Sequence, residues 1–126
     1  FWHPEEELAA LPGVSETVVG YCGGSTADPT YKSIGDHTEA LRVTFDSRVV
    51  SAESMLERFF EMHDPMPRAF TGTQYRSAIF YHNDAQAETA AAVAGRQASS
   101  QAKHTSIEPA GPFYRAEEYH QRFLAK

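Results

Sequence analysis

Glu39-Ala40-Leu41-Arg42-Val43-Thr44-Phe45-Asp46 is followed, after four residues, by Ser51-Ala52-Glu53-Ser54-Met55-Leu56-Glu57-Arg58-Phe59-Phe60-Glu61-Met62-His63. In the first segment Leu41, Val43 and Phe45 alternate with Arg42 and Thr44, the period of a strand with one buried face. In the second, Met55, Phe59 and Met62 recur at helical spacing and Leu56 and Phe60 widen the apolar stripe, which predicts a helix over 52–63 capped by Ser51. These apolar side chains are core candidates. A half-buried strand leading into an amphipathic helix sets a mixed architecture, and the flanking sequence extends it.

Upstream, residues 3–11 read as a short helix with Pro4 in its first turn and carboxylates at the positive end of its dipole. Pro12-Gly13 stops it, and residues 14–21, containing Val18-Val19, read as a strand. The interval from Cys22 to Thr38 is the longest unpatterned stretch and a candidate functional loop. Downstream, Asp64-Pro65-Met66-Pro67 ends the second helix and residues 75–82 read as a third strand. Asn83 or Asp84 then caps an Ala-rich helix predicted to reach about Ala102, with Gly95 as its weak point. A short strand over 104–108 and a last helix over 116–124 complete the chain. The order helix, strand, strand, helix, strand, helix, strand predicts an α+β domain of the two-layer split βαβ (ferredoxin-like) kind with helices packed on the sheet. Its first strand is expected before Phe1, since the chain opens on Phe1-Trp2 without a methionine.

A length of 126 residues fits one domain, spanning 1–126, and the composition is ordinary for a globular protein, with 41% hydrophobic and 22% charged residues. Seventeen acidic residues against eleven basic give a net charge of −6, which argues against nucleic acid or anionic membrane as a partner. No run is apolar and long enough to span a bilayer and no secretion signal is visible, so a cytoplasmic location is expected. A single cysteine, Cys22, closes no disulfide within the chain. No Cys/His spacing matches a zinc site, and His37, His63, His82, His104 and His120 do not make one by position. His63-Asp64 reads as a helix end, where imidazole complements the dipole.

Polar and aromatic groups collect at element ends: Phe1-Trp2, Tyr31, Glu39 and Tyr75. Taken singly, Glu39 reads as a solvated carboxylate opening a strand, Tyr31 and Tyr75 as boundary phenols with satisfied hydroxyls, and Cys22 as a small buried hydrophobe or a candidate nucleophile.

At these same positions the chain resembles the peptide methionine sulfoxide reductase A family. The resemblance is carried in order by Phe1-Trp2, Leu11-Pro12-Gly13-Val14, Gly20-Tyr21-Cys22-Gly23-Gly24, Pro29-Thr30-Tyr31, His37-Thr38-Glu39, His63-Asp64-Pro65, the run from Gly72-Thr73-Gln74-Tyr75 to Phe80, and Pro112-Phe113-Tyr114 through Glu118-Tyr119-His120. It implies thiol-dependent reduction of methionine-S-sulfoxide to methionine, free or in oxidised proteins, with no metal or organic cofactor. The implied nucleophile is a cysteine immediately before Phe1, at the start of the helix that Pro4 opens, where the dipole favours a thiolate. Glu39 is then the proton donor to the leaving oxygen, Tyr31 and Tyr75 donate to the developing oxyanion, and Phe1 and Trp2 wall the methyl group. Cys22 becomes a candidate resolving thiol, His37 a support for the loop between Tyr31 and Glu39, and thioredoxin or another thiol the reductant. Phe70 stands where the family usually carries an acid. The alternative is a catalytically silent module that binds methionine sulfoxide without the nucleophile.

Overall fold

The computed structural model describes residues 2–62, 72–97 and 104–125, without the side chains of Trp2, His3 and Ala125. The fold is α+β. Helix α1 (Trp2–Ala9) leads through a turn at Gly13 into β1 (Val14–Cys22), which pairs antiparallel with β2 (Thr38–Phe45). Val19 faces Leu41 and Tyr21 faces Glu39 in that register. On its other edge β1 takes the two-residue β5 (Tyr114–Arg115), so it is the central strand of a sheet ordered β2–β1–β5. Paired on both sides, β1 is buried continuously from Val18 to Cys22.

Helix α2 (Ala52–Glu61) begins as its sequence predicts, with the Ser51 hydroxyl accepting the Ser54 N–H at 3.0 Å. Strand β3 (Ala78–Tyr81), helix α3 (Asp84–Gly95) and β4 (Ser106–Pro109) form a parallel βαβ crossover, with Asn83 capping α3 through the Gln86 N–H at 2.9 Å. Phe60, Ile79, Ala90 and Val93 are the centre of the core shared by α2, α3 and the β3–β4 pair. A second cluster, Val19, Tyr21 and Ala116 with Tyr31, Ile34 and Leu41 against it, lies on β1.

Three expectations are corrected. Helix α3 ends at Gly95 instead of reaching Ala102. Gly is a poor helix former, and the next residue, Arg96, turns its guanidinium to Glu53 at 2.6 Å on α2. Residues 98–103 lie outside the described part. The helix expected over 116–124 is instead two 3₁₀ turns, Glu118–His120 and Phe123–Ala125, because side chains claim the backbone between them. Gln121 bonds both backbone groups of Val19, and Glu5 of α1 accepts the Arg122 N–H at 2.6 Å, with Arg122 at φ 51°. Strand β5, just before these turns, was not anticipated. The third strand begins at Ala78, and Gln74 and Tyr75 lie in the turn ahead of it.

Glu5 is fully buried and also accepts the Thr17 hydroxyl at 2.8 Å, so one carboxylate ties α1 to β1 and to the C-terminal segment. Between β2 and β3, whose facing edges pair with no strand among the described residues, runs a groove of about 430 Å³, lined by Leu41, Val43 and Phe45 from one side, Ile79 from the other and Met55 and Phe59 from α2. The predicted apolar face of β2 is therefore only half-buried.

Candidate active site

The loop between β1 and β2 is organised by its own polar side chains. Asp36 accepts the N–H and hydroxyl of both Ser25 and Thr26 at 2.8–3.0 Å, and these four bonds hold its carboxyl well below the usual range. His37 is buried. Its Nδ1 accepts the Gly24 N–H at 3.2 Å and its Nε2 contacts the Thr26 carbonyl at 2.6 Å, which assigns a neutral ring protonated at Nε2. His37 thus ties the end of the loop back to its start at Gly24 and Thr26, where support of the stretch between Tyr31 and Glu39 was expected. The loop then delivers Tyr31, whose backbone N–H donates to Glu117 Oε2 at 3.1 Å and whose ring lies 4.6 Å from that of His120.

Glu39 enters from the start of β2. Its N–H donates to the Gln74 carbonyl at 3.0 Å, and the neighbouring Thr38 hydroxyl donates to the Thr73 carbonyl at 3.0 Å, so the turn at 72–75 is fastened to the β2 edge. Arg76 reinforces this fastening: its Nε donates to the Thr38 hydroxyl at 2.8 Å while its guanidinium pairs with Glu108 of β4. The Arg76 side chain is 8% exposed, so this pair is far less screened than one on the surface.

These supports bring the three expected catalytic side chains together. Gln74 Nε2 donates to Glu39 Oε2 at 2.6 Å and to the Tyr75 hydroxyl at 3.2 Å, and the Tyr75 and Tyr31 hydroxyls stand 3.5 Å apart. Tyr75 is 57% exposed, so the chain Glu39–Gln74–Tyr75–Tyr31 opens to solvent at its tyrosine end. Its hydrogen bond with Tyr31 is the main cause that pushes the Tyr75 phenol well above its ordinary value and keeps its proton in place. Glu39, Gln74 and Tyr75 also line the groove between β2 and β3, as does Pro4 of α1. A carboxyl group and two phenols converging in this way can protonate and stabilise a developing oxyanion.

Three side chains of this site had no assigned role from sequence: Gln74, Arg76 and Glu117. Gln74 and Arg76 flank Tyr75 in a recognised run, a signal of place without one of role. Glu117 likewise lies within a recognised stretch, from Pro112 through His120, with no role attached to it. Phe1, the Trp2 side chain, Phe70 and His63-Asp64 lie outside what the structure describes. Cys22 ends β1 at 4% exposure, and burial pushes its thiol up to about 11 against the pull of Arg76, which keeps it protonated and shielded at neutral pH. Among the described residues no three or more His, Cys, Asp or Glu side chains cluster as metal ligands, and no helix is long and apolar enough to cross a membrane.

A family model described as peptide methionine sulfoxide reductase matches residues 1–126. The peptide methionine sulfoxide reductase MsrA of Vibrio vulnificus is 44% identical over 140 residues, covering 100% of this chain and 67% of that protein. That of Methanoculleus marisnigri is 42% identical over 138 residues, covering 100% and 84%. Among solved structures, methionine sulfoxide reductase A of Corynebacterium diphtheriae superposes with a TM-score of 0.87 at 34% identity, over 98% of this chain and 69% of that one. Reduced Mxr1 of Saccharomyces cerevisiae gives 0.85 at 29% identity, over 98% and 76%.

Proposed function

The chain belongs to the peptide methionine sulfoxide reductase family, and from that premise we propose that it reduces methionine sulfoxide to methionine by thiol chemistry at the Glu39, Tyr31 and Tyr75 site. The observation that carries this reading is the hydrogen-bonded chain Glu39–Gln74–Tyr75–Tyr31 at the edge of the apolar groove. A thiolate attacks the sulfoxide sulfur and forms an S–S bond as the S–O electron pair moves to oxygen. Glu39 supplies the proton to that oxygen, and the Tyr31 and Tyr75 hydroxyls donate to it while its charge develops. The protonated oxygen leaves the sulfoxide sulfur and attacks the cysteine sulfur as the S–S bond breaks, its electron pair returning to the thioether; the resulting sulfenic acid condenses with a second thiol to a disulfide with release of water. The relatives matched across the whole chain are reductases, which gives the silent binding module no support.

We place the attacking thiol on a strand leading into Phe1. The groove supports this placement: β2 and β3 each present an edge to it, their apolar side chains face it, and Pro4 of the following helix lines it. A strand lying there would join β3 to β2 and give the order β3–strand–β2–β1 of a split βαβ sheet, with residues 1–126 acting in one domain. Its end would deliver the thiol beside Glu39 and Tyr75. Phe1 and Trp2 then wall the methyl group opposite the oxygen donors, so that only the S configuration satisfies both sides. Cys22 is too shielded to meet the sulfenic acid without opening β1, which favours an external reductant, thioredoxin or another small dithiol, in the cytoplasm.

The test is a dithiothreitol-driven assay on the N-acetyl methionine sulfoxide epimers, with residues 1–126 and with the protein extended upstream of Phe1. Turnover of the S epimer alone by the extended protein is the expected result. Robust turnover by residues 1–126 that Cys22→Ser abolishes would place the nucleophile at Cys22 and overturn the assignment.

A further inference from the structure

Glu117 lies outside the Glu39–Gln74–Tyr75–Tyr31 chain, yet it holds the Tyr31 end of it. Its Oε2 accepts the Tyr31 backbone N–H at 3.1 Å and its Oε1 accepts the Tyr21 hydroxyl at 2.8 Å. Tyr21 is fully buried in β1, so the carboxylate links the long loop to the central strand of the sheet. Burial raises the Glu117 carboxyl, but the bonds from its own backbone, from Tyr31 and from Tyr21 outweigh that and leave it below the usual carboxylate range, an acceptor at both oxygens. Three residues on, His120 packs its ring on the Tyr31 ring, and Gln121 fastens the same segment to Val19. Within the loop, the turn that carries Tyr31 is closed by hydrogen bonds between Thr30 and Ser33, both exposed. Its orientation against the sheet comes from the packing of Tyr31 and Ile34 on the Val19–Tyr21–Ala116 cluster and, through hydrogen bonds, from the 117–121 segment.

We propose that Glu117 is a positioning residue of the reaction, its carboxylate fixing the Tyr31 backbone so that the Tyr31 hydroxyl meets the sulfoxide oxygen together with that of Tyr75. The proposal rests on the reductase reading of the site. Misplacing a reacting group by about 1 Å can cost on the order of a hundredfold in rate, and a donor sharing its task with a second should cost less, about tenfold.

Glu117→Gln keeps the volume and one acceptor for Tyr21 but replaces the acceptor facing the Tyr31 N–H with a donor. In the full protein, the single-turnover rate should fall about tenfold with the sulfoxide dissociation constant nearly unchanged, and the Tyr31 amide proton should move upfield as its charged acceptor is lost. In a Tyr31→Phe background the same substitution should cost nothing further, because the hydroxyl it positions is gone. Tyr21→Phe, which removes the anchor without touching Glu117, should reproduce the effect in part and stands in if Glu117→Gln does not fold. An undiminished rate, or an equal loss with and without the Tyr31 hydroxyl, overturns the proposal. If the unsubstituted protein has no reductase activity, the site reading itself fails, while the Tyr31 amide shift still decides whether Glu117 holds Tyr31.

Discussion

Replacing Gln121 by Met should destabilise the protein by about 3 kcal/mol. Gln121 is 5% exposed; its amide nitrogen donates to the Val19 and Ala116 carbonyls at 2.9 Å and its carbonyl accepts the Val19 N–H at 3.0 Å. Methionine is similar in volume, so the cavity left is small and the loss is one of polar partners. The Val19 carbonyl keeps the Ala116 N–H at 2.9 Å, but the Val19 N–H and the Ala116 carbonyl, both on buried residues, are left without these partners. Two such groups cost about 1–3 kcal/mol each, offset in part because an amide no longer has to be desolvated. For a domain of this length, about 4 °C per kcal/mol gives a fall in Tm of about 12 °C. Urea unfolding should show a lower midpoint with an unchanged slope, since the surface exposed on unfolding is the same. A loss below about 1 kcal/mol would refute the reasoning, because it would mean that the C-terminal segment is held to β1 by something other than this side chain.

The buried Cys22 thiol should react with iodoacetamide at pH 8 roughly a hundredfold more slowly than an exposed cysteine, in line with a thiol raised from 9.0 to about 11. Because the folded value is the raised one, its contribution to stability should be constant below pH 9 and be lost as pH rises from 9 toward 11, read as falling urea midpoints; rapid labelling at pH 8 would contradict the burial. Gly20→Ala should cost about 1–3 kcal/mol, since an added Cβ would run into the Tyr114 carbonyl and lie 2.5 Å from the Phe113 ring across β1 and β5; an unchanged Tm would show that β5 yields freely.

Local pattern carried most of the elements. The alternation of Leu41, Val43 and Phe45, the Ser51 and Asn83 caps and the stop at Gly13 depend on neighbours in sequence, and they reappear as β2, α2, α3 and the turn before β1. What could not be read locally depends on partners distant in the chain. Gln121 reaches Val19 and Glu5 reaches Arg122, and these bonds, invisible to helix propensity, break the C-terminal segment into 3₁₀ turns. The site divides in the same way. Tyr31, Glu39 and Tyr75 stood out through the motifs that contain them, and they do converge. Gln74 joins them because the 72–75 turn is pinned to β2, a contact across 35 residues, and Glu117 joins from 86 residues beyond Tyr31.

The measurement that bears on the whole account is the single-turnover rate of N-acetyl methionine-S-sulfoxide reduction by the protein extended upstream of Phe1, with and without Glu39→Gln. Gln at this position keeps the size of the side chain that Gln74 contacts at 2.6 Å but has no acidic proton to give. If Glu39 protonates the leaving oxygen, the rate should fall by about two orders of magnitude or more with folding intact, and combined loss of the Tyr31 and Tyr75 hydroxyls should slow the same step. Equal rates for the two proteins would contradict the assignment and remove Glu39 from the chemistry.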